Sequence, residues 1–247
     1  MRGFIRDFRK RVAEIDKYFE LVDRIEQLRA FSAKSITFPS GEYVVDGDLQ
    51  NILKSYCYIL LYNLIESSIR NGIVEIHDAI KLDKLTYREL NPKIKTLWLE
   101  NDRSINFIET TKKSRISQNL RELINKILDD EVVFLDENNI SISGNLNAVK
   151  IKSLIETYGF APVADFSDSE MHTTFDHVVN IRCDLAHGNK SFCDASNEVI
   201  WNRATSDDDN SSVSRYLVED KGKIVKYLTH LLQNIDDYIE NKKYKLS

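Results

Sequence analysis

The chain of 247 residues carries 34 Lys and Arg against 39 Asp and Glu, a formal net charge of -5, which excludes a uniformly basic coat for nucleic acid and leaves any polyanion to be met at a local patch. With 8 Gly and 3 Pro, well under the roughly 12% of average usage, it lacks the turns of an all-β protein and asks for long helices. A hydrophobic share of 42% with 11 Phe and 11 Tyr excludes disorder, and no uncharged apolar run reaches the ~18 residues of a membrane span.

In chain order, Phe4, Phe8, Val12, Ile15, Phe19, Val22, Ile25 and Leu28 recur at spacings of three and four and predict one long amphipathic helix with a charged outer face. Ser35 to Gly47, with Pro39 and Gly41, breaks the pattern and reads as a connector. A second helix, capped by Asp46 or Asp48, is expected to run to about Lys81. Its middle, Tyr56 to Tyr62 and then Leu64 and Ile65, is apolar all round and calls for neighbours on every side, while Glu66 calls for a basic partner. Helices follow at Lys93 to Leu99 and Ile105 to Leu128, then a small hairpin or irregular excursion near 131–143. Asn145 or Asn147 caps a helix through Tyr158, closed by Gly159 and Pro162. Ser167 or Asp168 starts the next, with Met171, Phe175, Val178, Arg182 and Leu185 on one stripe and Gly188 as its C-terminal cap. A last helix is expected from Tyr216 to Tyr238.

The chemistry concentrates in Asn180-Ile-Arg182-Cys183-Asp184-Leu-Ala-His187-Gly188-Asn189. A guanidinium on an apolar stripe needs an anion, and Glu66 and an RNA phosphate are the two candidates. Asp184, three residues before His187, is placed to orient the imidazole. An Arg, a His and a carboxylate suffice for metal-free phosphodiester cleavage, with the imidazole taking the 2′-OH proton and the guanidinium steadying the phosphorane-like charge. The bland alternative is a structural Arg and a helix-terminal His that offsets the macrodipole. Asn180, Asn189 and Lys190 are the adjoining groups that would contact RNA. Two basic clusters, Arg2, Arg6, Arg9, Lys10 and Arg11 at one end and Lys242, Lys243 and Lys245 at the other, are candidates for holding the backbone. Tyr87, Trp98, Trp201 and Tyr216 are aromatics able to stack on bases, although such residues usually build core.

Arg182-x4-His187 in this context resembles the Arg-x(4-6)-His signature of the HEPN superfamily (higher eukaryotes and prokaryotes nucleotide-binding domains), particularly its MAE-like nuclease branch. Ile59 to Glu66 and Gly144 to Ile151, followed by Tyr158-Gly-Phe160, resemble the same branch. The resemblance implies an all-α, up-and-down HEPN-like bundle, a single domain of residues 1–247 with an N-terminal extension at 1–45 and a core at 46–245. It also implies a homodimer with two Arg/His pairs in one cleft, acting as a metal-independent RNase, without cofactor, in toxin–antitoxin or antiphage systems. Arg182 and His187 match the signature pair, and Asp184 and Glu66 match supporting positions. Cys183 departs from the polar residue usual after the Arg and favours the alternative, a catalytically weak module binding RNA, a nucleotide or a partner protein.

Other chemistries are poorly supplied. Cys183, His187 and Cys193 have a zinc-like spacing but lack an evident fourth ligand, with Cys57, His172 or His177 available only through tertiary contact. The three cysteines are too few for a disulfide framework and are read as thiols of a cytoplasmic protein, the more so because the first residues do not resemble a signal peptide. No Gly-rich phosphate loop or serine nucleophile elbow occurs.

Overall fold

In the computed structural model, which describes residues 1–30, 35–101, 113–136, 142, 145–196 and 213–246, the first element is the helix α1, Gly3–Ala30. Phe4, Phe8, Ile15, Phe19, Val22 and Ile25 are all buried, so the spacing of three and four does turn one apolar face inward. The expected connector is a hairpin instead: β1 (Ser35–Phe38) pairs antiparallel with β2 (Gly41–Val44) around the Pro39-Ser40 turn. Its strands are half-buried or exposed, so no inward-facing apolar alternation marked them in the sequence.

The chain divides into two compact units, one of Met1–Ser68, Asn145–Ala148 and Asp165–Thr229, the other of Ile69–Gly144, Val149–Ala164 and His230–Ser247. Helix α2, Gly47–Leu82, contributes residues to both. It starts where the Leu49 amide donates to the Asp46 carboxylate at 2.8 Å, the N-terminal cap expected from the sequence. In the first unit Cys57, Tyr58, Leu61, Tyr62, Leu64 and Ile65 are at most 1% exposed. The helix is not enclosed all round, however: Ile52 and Tyr56 are each 42% exposed. Against α2 lies α1, held by Lys54 to Glu26 at 2.6 Å and by the Tyr18 hydroxyl donating to the Leu53 carbonyl at 3.1 Å.

The predicted helix after Ser167 is three pieces. The capping box of Ser167 and Glu170 opens α6, Asp168–Met171, followed by a π-helical turn, His172–Asp176, and α7, His177–Ala186. The wider turn releases Asp176, whose carboxylate accepts from the Ala148 amide at 2.8 Å and bonds the His172 ring at 2.7 Å. The first amide of α5 (Ala148–Tyr158) is thus held by a distant carboxylate, a contact that no local pattern in the sequence announces.

In the second unit α2 continues through Ile69, Ile73, Ile76 and Ile80, all buried. Beside it stand α3 (Pro92–Asn101), α4 (Lys113–Leu128), the remainder of α5 and the end of α8 (Val213–Glu240). At Gly72 a Cβ would come within 2.9 Å of Ile235, so α2 and α8 approach over a residue with no side chain. Val132 bridges to Thr86, and the Val133 amide donates to the Leu85 carbonyl at 2.8 Å; 137–141 and 143 of the expected excursion lie outside the described residues, as do Ile105 to Lys112. The fold is all-α with a long N-terminal helix, and the hairpin β1-β2 is the one sheet among the described residues.

Candidate functional site

Helix α7 ends in a Schellman turn. Its last bonds run from the Asn189 amide to the Asp184 carbonyl at 2.9 Å and from the Gly188 amide to Leu185 at 3.3 Å, with Gly188 at φ +69°. That left-handed residue is where glycine is needed, and its presence fixes the helix end predicted from the sequence. His187 is the cap residue at φ -93°, ψ 0°. Its side chain is exposed, and among the described residues no hydrogen bond or ion pair holds it.

Arg182 sits on the shoulder of the apolar stripe between buried Val178, Val179 and Leu185. Its guanidinium lies over the Tyr62 ring, 4.4 Å from the centroid, a cation–π seat that leaves the N–H fork free to receive an anion. The expected ion pair with Glu66 does not form among the described residues; Glu66 is half-buried one turn beyond Tyr62 on α2. Partial exposure removes the need for a basic partner that full burial would have imposed. The Tyr62 phenol is shifted up, first by burial and then by the Glu66 charge, with the Leu146 backbone and Arg182 pulling the other way.

Asp184 does not reach His187 by a hydrogen bond. Its carboxylate takes Lys190 at 2.8 Å and, more loosely, the Asn189 amide group at 3.4 Å, and Lys190 holds it below the usual carboxylate range. The Schellman turn causes this: it folds Asn189 and Lys190 back over the last turn of α7, where Asp184 is the nearest acceptor. Lys190 is thus half-buried and engaged, while Asn189 and Asn180 are exposed. Cys183 donates its thiol to the Asn145 side-chain oxygen at 2.7 Å.

The structure therefore joins Asp184, Lys190 and Asn189 at the end of α7, seats Arg182 apart from them on Tyr62 and leaves His187 exposed at the cap. Two contributors escaped the sequence reading, Tyr62 and Asn145. Tyr62 stands one turn before Glu66 in α2, and an aromatic ring at that spacing is the signal for a cation–π seat. Of the aromatics, Trp98 and Tyr216 are buried, Tyr87 is half-buried against Trp98 at 5.4 Å between ring centroids, and Trp201 lies outside the described residues.

The groups considered for zinc go separate ways. The Cys193 thiol donates to the Asp48 carbonyl, that of Cys57 to Leu53, His172 bonds Asp176, and His177 packs edge-on against Tyr58. Among the described residues no three His, Cys, Asp or Glu side chains gather as metal ligands would.

A helical chain with this motif at a helix end has a known counterpart. The family model of the MAE_28990-like HEPN proteins matches residues 3–244, and the chain belongs to that family. It is accordingly a HEPN domain, a class generally tied to nucleases and RNA. No curated protein and no solved structure matches it. Among the described residues no helix is long and apolar enough to cross a membrane.

Proposed function

We propose that this protein is a metal-independent endoribonuclease of HEPN type, a toxin or antiphage-defence effector of the cytoplasm, working as a homodimer. We read residues 1–247 as one HEPN-like domain, an extension at 1–45 and a core at 46–245; the family match at 3–244 runs through both. The observation that carries the proposal is that one helix end bears an exposed His187 imidazole, without a side-chain partner among the described residues, and a guanidinium anchored on Tyr62 by its face.

Five residues at about 100° each set Arg182 and His187 roughly 140° apart around a helix, so two copies bring complementary groups to one phosphate more readily than one copy does. Exposed Ile52 and Tyr56 offer α2 surface for such pairing. In the reaction one His187 takes the 2′-OH proton as the 2′-oxygen attacks phosphorus. Arg182 stabilises the charge on the non-bridging oxygens, and the imidazolium of the second copy protonates the departing 5′-oxygen. The products are a 2′,3′-cyclic phosphate and a 5′-hydroxyl. Asp184 and Glu66 act as positioning residues, Asp184 by tying Lys190 and Asn189 to the helix end. Asn180, Asn189 and Lys190 line the approach of the RNA.

Incubation with total RNA in EDTA tests this. Cleavage with cyclic phosphate ends is expected, falling by at least ~100-fold in Arg182→Ala and in His187→Ala with the fold retained. Cys183, bonded to Asn145 where the family has a polar residue, favours a second reading, a module binding RNA, a nucleotide or a partner protein. RNA left intact by the parent protein under all conditions would decide for it.

A further inference from the structure

The two basic clusters of the sequence have different fates. At the C-terminal end Lys242 and Lys245 both bind Asp83 at 2.9 Å, and Lys243 binds Asp237. Each lysine of that cluster is engaged by a carboxylate of its own unit, two of them sharing one. On α1, Arg6, Arg9, Lys10 and Lys17 are exposed, and no side-chain partner holds any of them among the described residues. Other cations of the same unit are engaged: Arg24 with Glu20, Lys54 with Glu26, Lys221 with Asp16 and Lys223 with Glu219.

At about 100° per residue, positions 6, 9, 10, 13 and 17 fall within roughly 100° of arc, opposite Phe4, Phe8 and Ile15. Between positions 6 and 17 the only other side chain on that arc is Ala13; beyond Lys17 the arc continues with Glu20 and Arg24, which pair with each other. The row extends ~16 Å at 1.5 Å per residue and begins in a first turn that has no acidic residue, where positive charge opposes the helix dipole. Arg2 is engaged within the fold, and Arg11 turns aside to the cleft it shares with Glu14, Tyr18 and Tyr56.

From this we infer that the outer face of α1 is an RNA-backbone binding surface, in which Arg6, Arg9, Lys10 and Lys17 track successive phosphates of a single strand. A linear row of unneutralised cations matches a polyphosphate. A protein partner would be expected to find apolar or aromatic anchors, and the row from Arg6 to Lys17 has none; the exposed Leu21 lies one turn beyond it. A membrane would need an apolar face to insert, and that of α1 is buried in the protein. The choice of RNA rests on the endoribonuclease reading; the surface itself does not.

The test uses the full chain carrying His187→Ala, so that RNA stays intact, and fluorescence anisotropy of a labelled oligouridine of about 20 nucleotides over ~0.05–0.5 M salt. Three phosphate contacts at a slope near 0.7 each amount to about 50-fold in affinity at 0.15 M salt relative to 1 M. Arg6→Gln/Arg9→Gln/Lys10→Gln is therefore expected to bind about 50-fold more weakly at 0.15 M and to lose about two from the slope of log K against log salt. The triple should melt as the parent does, since these side chains are exposed and no polar partner holds them among the described residues. An equal removal of charge in the second unit, Lys84→Gln/Arg88→Gln/Lys95→Gln, should leave RNA affinity within about twofold. An unchanged affinity and slope in the α1 triple overturns the inference. So does equal loss in both triples, or tighter α1-dependent binding to polyglutamate or to phosphatidylserine vesicles than to oligouridine. If the parent chain cuts no RNA while the α1 triple still loses affinity, the nuclease reading fails alone. If it cuts RNA while the triple binds like its parent, the surface fails alone.

Discussion

Replacing His77 by Gln should remove most of the stability that the second unit loses between pH 7 and 5. His77 is 6% exposed, its Nε2 lies 2.8 Å from the Tyr158 hydroxyl, and its ring stacks on that phenol at 5.7 Å. Burial pushes the imidazole from 6.5 down to about 4, with the Leu135 backbone and the Asp136 carboxylate opposing. Below pH 6.5 the unfolded chain binds a proton that the folded one refuses, so stability is complete above 6.5 and is lost as pH falls toward 4. At 1.36 kcal/mol per pH unit the whole loss is about 3 kcal/mol, of which about 2 falls between pH 7 and 5. Gln can keep a bond to Tyr158 but does not titrate. Urea unfolding followed by Trp98, in a Trp201→Phe background, should give parent and His77→Gln curves that converge by about 2 kcal/mol on going from pH 7 to 5. Parallel curves, or an NMR titration placing His77 near 6.5 in the folded protein, would refute the reasoning.

The helix end at the candidate site offers two further tests. A Cβ on Gly188 would meet nothing within 4 Å, so Gly188→Ala should cost only the left-handed backbone term of about 1 kcal/mol, read by urea unfolding. Gly188→Asn should cost less, and RNA cleavage should fall in the Ala variant as His187 shifts. Cys183→Ser preserves a donor to the Asn145 oxygen and should leave stability within ~0.5 kcal/mol, whereas Cys183→Val strands that oxygen at a cost of about 1 kcal/mol. Equal effects of Ser and Val would deny the thiol its hydrogen-bonding role.

Long-helix architecture was legible in the sequence, because apolar spacing of three and four reports on side chains of one turn and the next. So were helix ends with local chemistry: Asp46 starts α2, the Ser167 and Glu170 box starts α6, and Gly188 ends α7. The π-helical turn His172–Asp176 was not, since apolar residues continue on either side of the inserted one and the pattern still reads as helix. The hairpin at Ser35–Val44 shows no inward apolar alternation and reads like a loop.

Partners were decided by tertiary structure alone. The sequence says that Arg182 needs a companion, but folding selects the face of Tyr62 over the charge of Glu66. It shows two basic clusters, but Asp83, lying 159 residues from Lys242, engages two lysines of one and Asp237 the third, while no side chain among the described residues pairs with Arg6, Arg9, Lys10 or Lys17. Local periodicity determines which way a residue faces. What it meets there depends on chain segments far away in sequence, and that meeting exists only once the chain has folded.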